Sequence, residues 1–204
     1  MTTEVKHFFD DENWPENLLS HSQNYNNSAS NALDELLLGG YLPLDIQEKI
    51  FQFILENNPD GELISLFFGK ACTDPALLER IAMQASPEYS YLIVDNSNTS
   101  SMALKHILTD GYREQGVVAD ILDHPNCTSE IAMLIASDED HWGDGEALDA
   151  LSTCAALTDK DVMKLLDDWK NDVQGYYVLD LDNLIKNPNL SEETKSIIKN
   201  FELE

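Results

Sequence analysis

Between Asp138 and Asp149 the chain reads Asp-Glu-Asp-His-Trp-Gly-Asp-Gly-Glu-Ala-Leu-Asp, the stretch closest to a site motif. Counted from Asp138, acids fall at positions 1, 3, 7, 9 and 12 and Gly143 at position 6, the spacing with which a calcium loop offers its oxygens. Trp142 stands at position 5, where an oxygen ligand is needed, and Asp149 replaces the bidentate Glu that closes such a loop. The segment is therefore read as a solvated acidic link, and no metal or cofactor is expected. His141, with Asp140 and Asp144 beside it, could serve a transition metal, but such a trio arises readily by chance in so acidic a chain. His106 and His124 have no recognisable nucleophile or orienting partner. Leu38-Gly-Gly-Tyr lacks the Lys and the strand-to-helix setting of a phosphate cradle, and Asp167 with Asp168 reads as an exposed helix end. Cys72, Cys127 and Cys154 have no CxxC spacing and an odd count, and are read as small buried apolar residues. The chain is expected not to be an enzyme.

Charge carries more than any motif. In 204 residues, 38 Asp and Glu face 12 Lys and Arg, a formal net charge of −26. Direct binding to nucleic acid is disfavoured, because that affinity comes from cations neutralising phosphates. An anionic membrane surface would repel the chain for the same reason. From Glu114 to Asp159 there are 11 acids and no Lys or Arg, whereas a solvated surface usually intersperses both signs. Trp142 within this run, and Tyr112 just before it, are aromatic anchors of the kind interfaces favour. The candidate partner-binding residues are Asp120, Asp123, Glu130, Asp138, Glu139, Asp140, Trp142, Asp144, Glu146 and Asp149. The expected function is a non-enzymatic acidic module that docks a basic protein and inhibits it. It would be either an immunity-type protein against a toxin or a nucleic-acid mimic against a nucleic-acid-binding protein. The alternative is a structural adaptor that binds through an apolar ridge or its N-terminal arm, with charge serving solubility.

The elements that must carry these residues repeat. Asn96-Ser-Asn-Thr-Ser, His124-Pro-Asn-Cys-Thr and Asn187-Pro-Asn-Leu-Ser each place a turn before a Ser or Thr able to cap a helix. With Asp45, Thr73, Ser100, Thr128, Thr158 and Ser191 as caps, the spacings are 28, 27, 28, 30 and 33 residues. Thr99 competes with Ser100 in the third unit, and Asp45 with Glu48 has capping-box spacing. Eight residues after the caps lie Phe53, Ile81, Leu108, Ala136, Leu166 and Lys199, apolar in five of six. Ile107, Ile135, Leu165 and Ile198 sit one position earlier in the last four, so each second helix buries one face. The first helices are predicted through Ala32–Leu38, Glu62–Phe68, Glu88–Val94, Gln115–Leu122, Glu146–Cys154 and Tyr176–Ile185. Helix pairs this short cannot shield their own apolar faces. The predicted fold is all-α, a right-handed α-solenoid of about six helix-turn-helix repeats over 31–204.

The turns resemble those of the bacterial variant leucine-rich repeat, a relative in shape of the HEAT-like solenoids, over residues 70–200. The matching residues are Asn187-Pro-Asn-Leu-Ser-Glu-Glu, His124-Pro-Asn-Cys-Thr-Ser-Glu-Ile-Ala and Asn98-Thr-Ser-Ser. The period here is longer, the Arg common before that family's turns is missing, and no cysteine cluster could hold an iron–sulfur centre. The resemblance implies a helical stack and transfers no site. Residues 1–30 are read apart, as an N-terminal arm or cap. Phe8, Phe9, Trp14, Leu18 and Leu19 form a docking element there, ahead of a flexible polar connector from Ser20. No signal peptide or membrane span is legible, so a cytoplasmic location is expected.

Overall fold

The computed structural model describes residues 8–23, 37, 42–57, 61–110, 115–138, 145–171 and 180–201. Every regular element among them is helical and none is a strand. The chain divides into two compact units, 1–103 and 104–204, the boundary falling inside one helix.

The first unit holds α1 (Trp14–Gln23), α2 (Leu44–Asn57), α3 (Gly61–Leu66), α4 (Pro75–Gln84) and α5 (Ser90–Val94), and α6 (Ser101–Asp110) begins in it. A π-helical turn, Phe67–Ala71, extends α3, and a 3₁₀ turn, Pro87–Tyr89, leads into α5. The second unit holds α7 (Gln115–Asp123), α8 (Ser129–Ala136), α9 (Gly145–Thr153), α10 (Asp159–Asn171), α11 (Leu181–Lys186) and α12 (Glu192–Lys199). The all-helical expectation holds, and five predicted first helices overlap α3, α5, α7, α9 and α11. Most of Ala32–Leu38 lies outside the described residues, as do 176–179 of the last predicted helix. Ser20–Gln23, expected to open a flexible connector, are the last turn of α1 instead, and the rest of that polar stretch lies outside the described residues. Trp14 packs against Phe53 of α2, ring centroids 5.5 Å apart, and Phe9 and Leu18 are buried.

The periodic apolar positions form the core. Phe53, Ile81, Leu108, Ala136 and Leu166 are buried, as are Ile107, Ile135, Leu165 and Ile198. Caps decide where each helix starts. Ser100, Thr128, Thr158 and Ser191 accept from the backbone N–H three residues on, at 3.1, 3.4, 3.4 and 3.2 Å. Two expected caps are corrected. Asp74, not Thr73, caps α4, its Oδ1 taking Leu77 N–H at 2.8 Å, because Pro75 occupies the first helical position. Asp45 is already inside α2, whose first N–H groups at Ile46 and Gln47 go to Pro43 O. The reciprocal capping box is instead at Thr158 and Asp161. Asp161 Oδ2 accepts from Thr158 N at 2.9 Å, while Asp161 N–H returns to Thr158 Oγ1.

One turn recurs four times, beginning at Asn96, His124, Cys154 and Asn187. In each, the first residue's N–H bonds the carbonyl three back, and its own carbonyl accepts from the residue three on. The first side chain closes the turn: Asn96 Oδ1, His124 Nδ1 and Asn187 Oδ1 each accept the N–H two residues later at 3.0 Å. These three side chains are buried, and the asparagines also reach the preceding turn. Asn96 Nδ2 donates to Phe68 O and Cys72 O at 2.7 and 2.8 Å, and Asn187 Nδ2 donates to Cys154 O at 2.8 Å. In the π turn Cys72 N–H goes to Phe67 O, and Thr73 N–H, the i+5 donor for Phe68 O, goes instead to Gln47 Oε1. Asn96 supplies that carbonyl's donor.

Candidate interaction face

In the second unit the helices sort into two rows. α9 packs against α7 and α11, and α10 packs against α8 and α12. First helices therefore neighbour first helices, and second helices neighbour second helices. This alternation also sorts the charges. The first row exposes Asp120 and Asp123 on α7, Glu146 and Asp149 on α9, and Asp182 on α11, with Lys186, at the far end of α11, its only cation among the described residues. The second row mixes signs: Glu130 on α8; Lys160, Lys164, Asp167, Asp168 and Lys170 on α10; Glu192, Glu193, Lys195 and Lys199 on α12.

The predicted partner-binding residues divide accordingly. Asp120, Asp123, Glu146 and Asp149 lie on α7 and α9, which pack side by side. Glu130 belongs to the other row, where it takes an ion pair from Lys105. Asp138 follows α8 and is half-buried. Glu139, Asp140, Trp142 and Asp144 lie outside the described residues, and with them most of the calcium-like spacing. Its last part, Gly145–Asp149, is the start of α9. Among the described residues no group of three or more His, Cys, Asp or Glu is arranged to hold a metal ion. Asp182 is the member the sequence window missed. Lys160, Lys164 and Lys170 intervene along the chain, but all three sit on α10, in the other row.

Two acids of the second row, Asp159 and Asp161, act within the fold. Asp161 Oδ2 accepts from Ser129 Oγ at 2.8 Å, tying α10 to α8, and Asp159 Oδ1 accepts from Ser191 N at 2.9 Å, tying α12 to α10. The Ser191 N–H, and then the Thr194 hydroxyl, hold Asp159 below the ordinary carboxylate range. Partial burial pushes Asp161 up, but hydrogen bonds from Thr158 and Ser129 outweigh it and leave the group lowered.

The described surface includes two clefts. One, of about 510 Å³ and mainly apolar, lies between Trp14 and Pro15 on one side and Glu48, Gln52, Phe53 and Glu56 of α2 on the other. The other, about 370 Å³, is lined by Asp123, His124, Cys127, Thr153, Ala155 and Asn189 at the turns of the second unit. The cysteine expectation is corrected here. Cys72 and Cys154 are buried, the Cys154 S–H donating to Leu122 O at 3.4 Å, but Cys127 is half-buried at the second cleft and its S–H points to Thr128 O at 3.7 Å. No helix among the described residues is long and apolar enough to cross a membrane.

No family model, no curated protein and no solved structure matches this chain. The fold and its exposed face define an all-helical chain with a recurring turn and one row of helices carrying almost a single sign of charge.

Proposed function

We propose that the chain is a non-enzymatic acidic module that docks a basic protein through the α7–α9–α11 row and inhibits it. The partner would be a toxin, as for an immunity-type protein, or a nucleic-acid-binding protein whose phosphate site the carboxylates fill. The observation that carries this reading is the sorting of charge: of the lysines on these two rows, five stand on α10 and α12 and one, Lys186, at the far end of α11, a division that acidity for solubility alone gives no reason for. Like charges on adjacent helices repel and cost stability, so a one-signed row is more readily understood as complementarity to a cation-rich surface. The recurring turn supports taking the helix pairs as repeats of an α-solenoid, a fold whose ridged surfaces suit macromolecular partners.

The test is capture of partners by the tagged chain from a lysate, at low and at high salt. A variant with Asp120, Asp123, Glu146 and Asp149 changed to Lys is run beside it. The screening length falls from about 10 Å at 0.1 M to about 3 Å at 1 M salt, so a basic protein held at low salt should be released at high salt. The variant should not retain it while keeping its helical circular dichroism. Equal retention by the variant and by the native chain would sink the reading. The cleft between Trp14 and Phe53 favours a second reading, an adaptor that binds an apolar segment. There, Trp14→Ala would abolish capture and salt would have little effect.

A further inference from the structure

The 370 Å³ cleft lies where the chain leaves the helices of the first row. Asp123 ends α7, Thr153 ends α9, and Asn189 belongs to the turn that follows α11. A helix end carries about half an elementary negative charge on its unpaired carbonyls, and two helices of nine residues finish at this cleft. The side chains there add acceptors and spend their donors elsewhere. Asp123 is exposed, and its carboxylate takes no hydrogen bond or ion pair among the described residues. Thr153 Oγ1 donates back into α9, to Asp149 O and Ala150 O at 3.2 Å, which leaves its lone pairs unused. Asn189 turns Nδ2 to Ala155 O at 2.6 Å, so the Oδ1 branch of the amide stays open. The Cys127 S–H goes to Thr128 O, and buried His124 takes Asn126 N–H on Nδ1. Pro125, Ala155 and Ala156 supply apolar wall.

We propose that this cleft is the anchor pocket for one arginine side chain of the docked protein. That a protein supplies the arginine rests on the docking reading; the chemical preference of the pocket does not. A guanidinium is all donor and no acceptor, the complement of a lining whose free side-chain atoms accept. Its planar fork gives two N–H groups to the Asp123 carboxylate and keeps others for Thr153 Oγ1 and Asn189 Oδ1, which come from two further elements. The methylene stem lies along Pro125 and the alanines. An ammonium is a compact, strongly hydrated charge and cannot span the same acceptors, so lysine is the poorer fit. An anion meets the helix ends and Asp123 and is repelled. The pocket also continues the acidic row. Asp120 stands one turn before Asp123 on α7, and Asp149 one turn before Thr153 on α9, so carboxylates flank the approach and steer a cation inward.

The experiment titrates the isotope-labelled full chain with capped arginine (N-acetylarginine N-methylamide) at about 0.15 M salt and follows the backbone amide signals by NMR. The same is done with capped lysine and with capped citrulline, which keeps the shape of arginine without its charge. Arginine should move the signals of residues 123–127, 153–156 and 189 saturably, lysine should move them more weakly, and citrulline should leave them in place. Asp123→Asn should weaken the arginine response about fivefold. Equal shifts with citrulline or lysine, or arginine shifts spread over the acidic surface with none at the cleft, would overturn the proposal, and these arms use the native chain alone. The two readings fail separately. Absent cleft shifts remove the anchor and leave salt-sensitive capture standing. Capture that survives the change of Asp120, Glu146 and Asp149 to Lys, with Asp123 kept, removes the docking reading and leaves the arginine titration as it was.

Discussion

Replacing Asn96 by Ala removes four hydrogen bonds from one buried position. The side chain satisfies Phe68 O and Cys72 O through Nδ2, and takes Asn98 N–H at 3.0 Å and the Asn98 amide at 3.1 Å through Oδ1. Asn96 is 2% exposed, so a truncated side chain leaves at least two carbonyls and one N–H short of partners where water enters with difficulty. A buried backbone group left unpaired costs about 1–3 kcal/mol, and a loss of about 3–4 kcal/mol is expected after partial relaxation. Asn189 is the natural control, because its amide makes one exposed bond to Ala155 O, and Asn189→Ala should cost about 0.5–1 kcal/mol. Asn96→His should fall between the two, since His124 already closes the same turn with Nδ1 but a ring cannot donate to two carbonyls at once. Urea denaturation followed by circular dichroism at 222 nm gives all three values, provided the slope is unchanged. A loss below about 1 kcal/mol for Asn96→Ala would refute the reasoning that this side chain is the principal donor to the π turn.

Two further outcomes test the local chemistry of the helix ends. Asp74→Ala should destabilise the first unit by about 1 kcal/mol through loss of its cap, and more than Thr73→Val does if Gln47 keeps its bonds to the backbone there; the same denaturation series compares them. Asp159 and Asp161 are held below the ordinary value of 3.8, so the stability they contribute is present above that pH and is lost as pH falls through their lowered values. Asp161→Asn should therefore cost about 1 kcal/mol at pH 7, its partial exposure keeping the effect small, and progressively less as the pH falls below 3.8. Thermal unfolding of both proteins across that range checks the convergence.

Most of the helical pattern was legible because its causes are local. A Ser or Thr four residues after a turn-forming Asn or His reads directly as a cap, and the apolar position eight residues further on reads as core. Misreadings came where two local signals competed. Thr73 and Asp74 are both good caps, and only Pro75, fixed at the first helical position, decides between them. Asp45 had capping-box spacing, yet Pro43 O already served the first N–H groups. The face was only partly legible for a different reason. A window along the chain mixes both members of each helix pair, so the lysines of α10 hid Asp182, and Glu130 of α8 joined a set it does not share a row with.

That turn has a consequence for how the chain can change. From the first residue of the turn to the cap is always four residues, while successive turns are 28, 30 and 33 residues apart. The joint keeps its length and its hydrogen bonds, and the variation falls in the segments between joints. A chain built in this way can gain or lose residues in those segments without disturbing the packing that each joint sets. The joint itself opens on an amide, an imidazole or a thiol, and the same pair of backbone hydrogen bonds is kept in every case. Insertions and chemical novelty then have separate addresses in the sequence, the first between turns and the second at their opening residue.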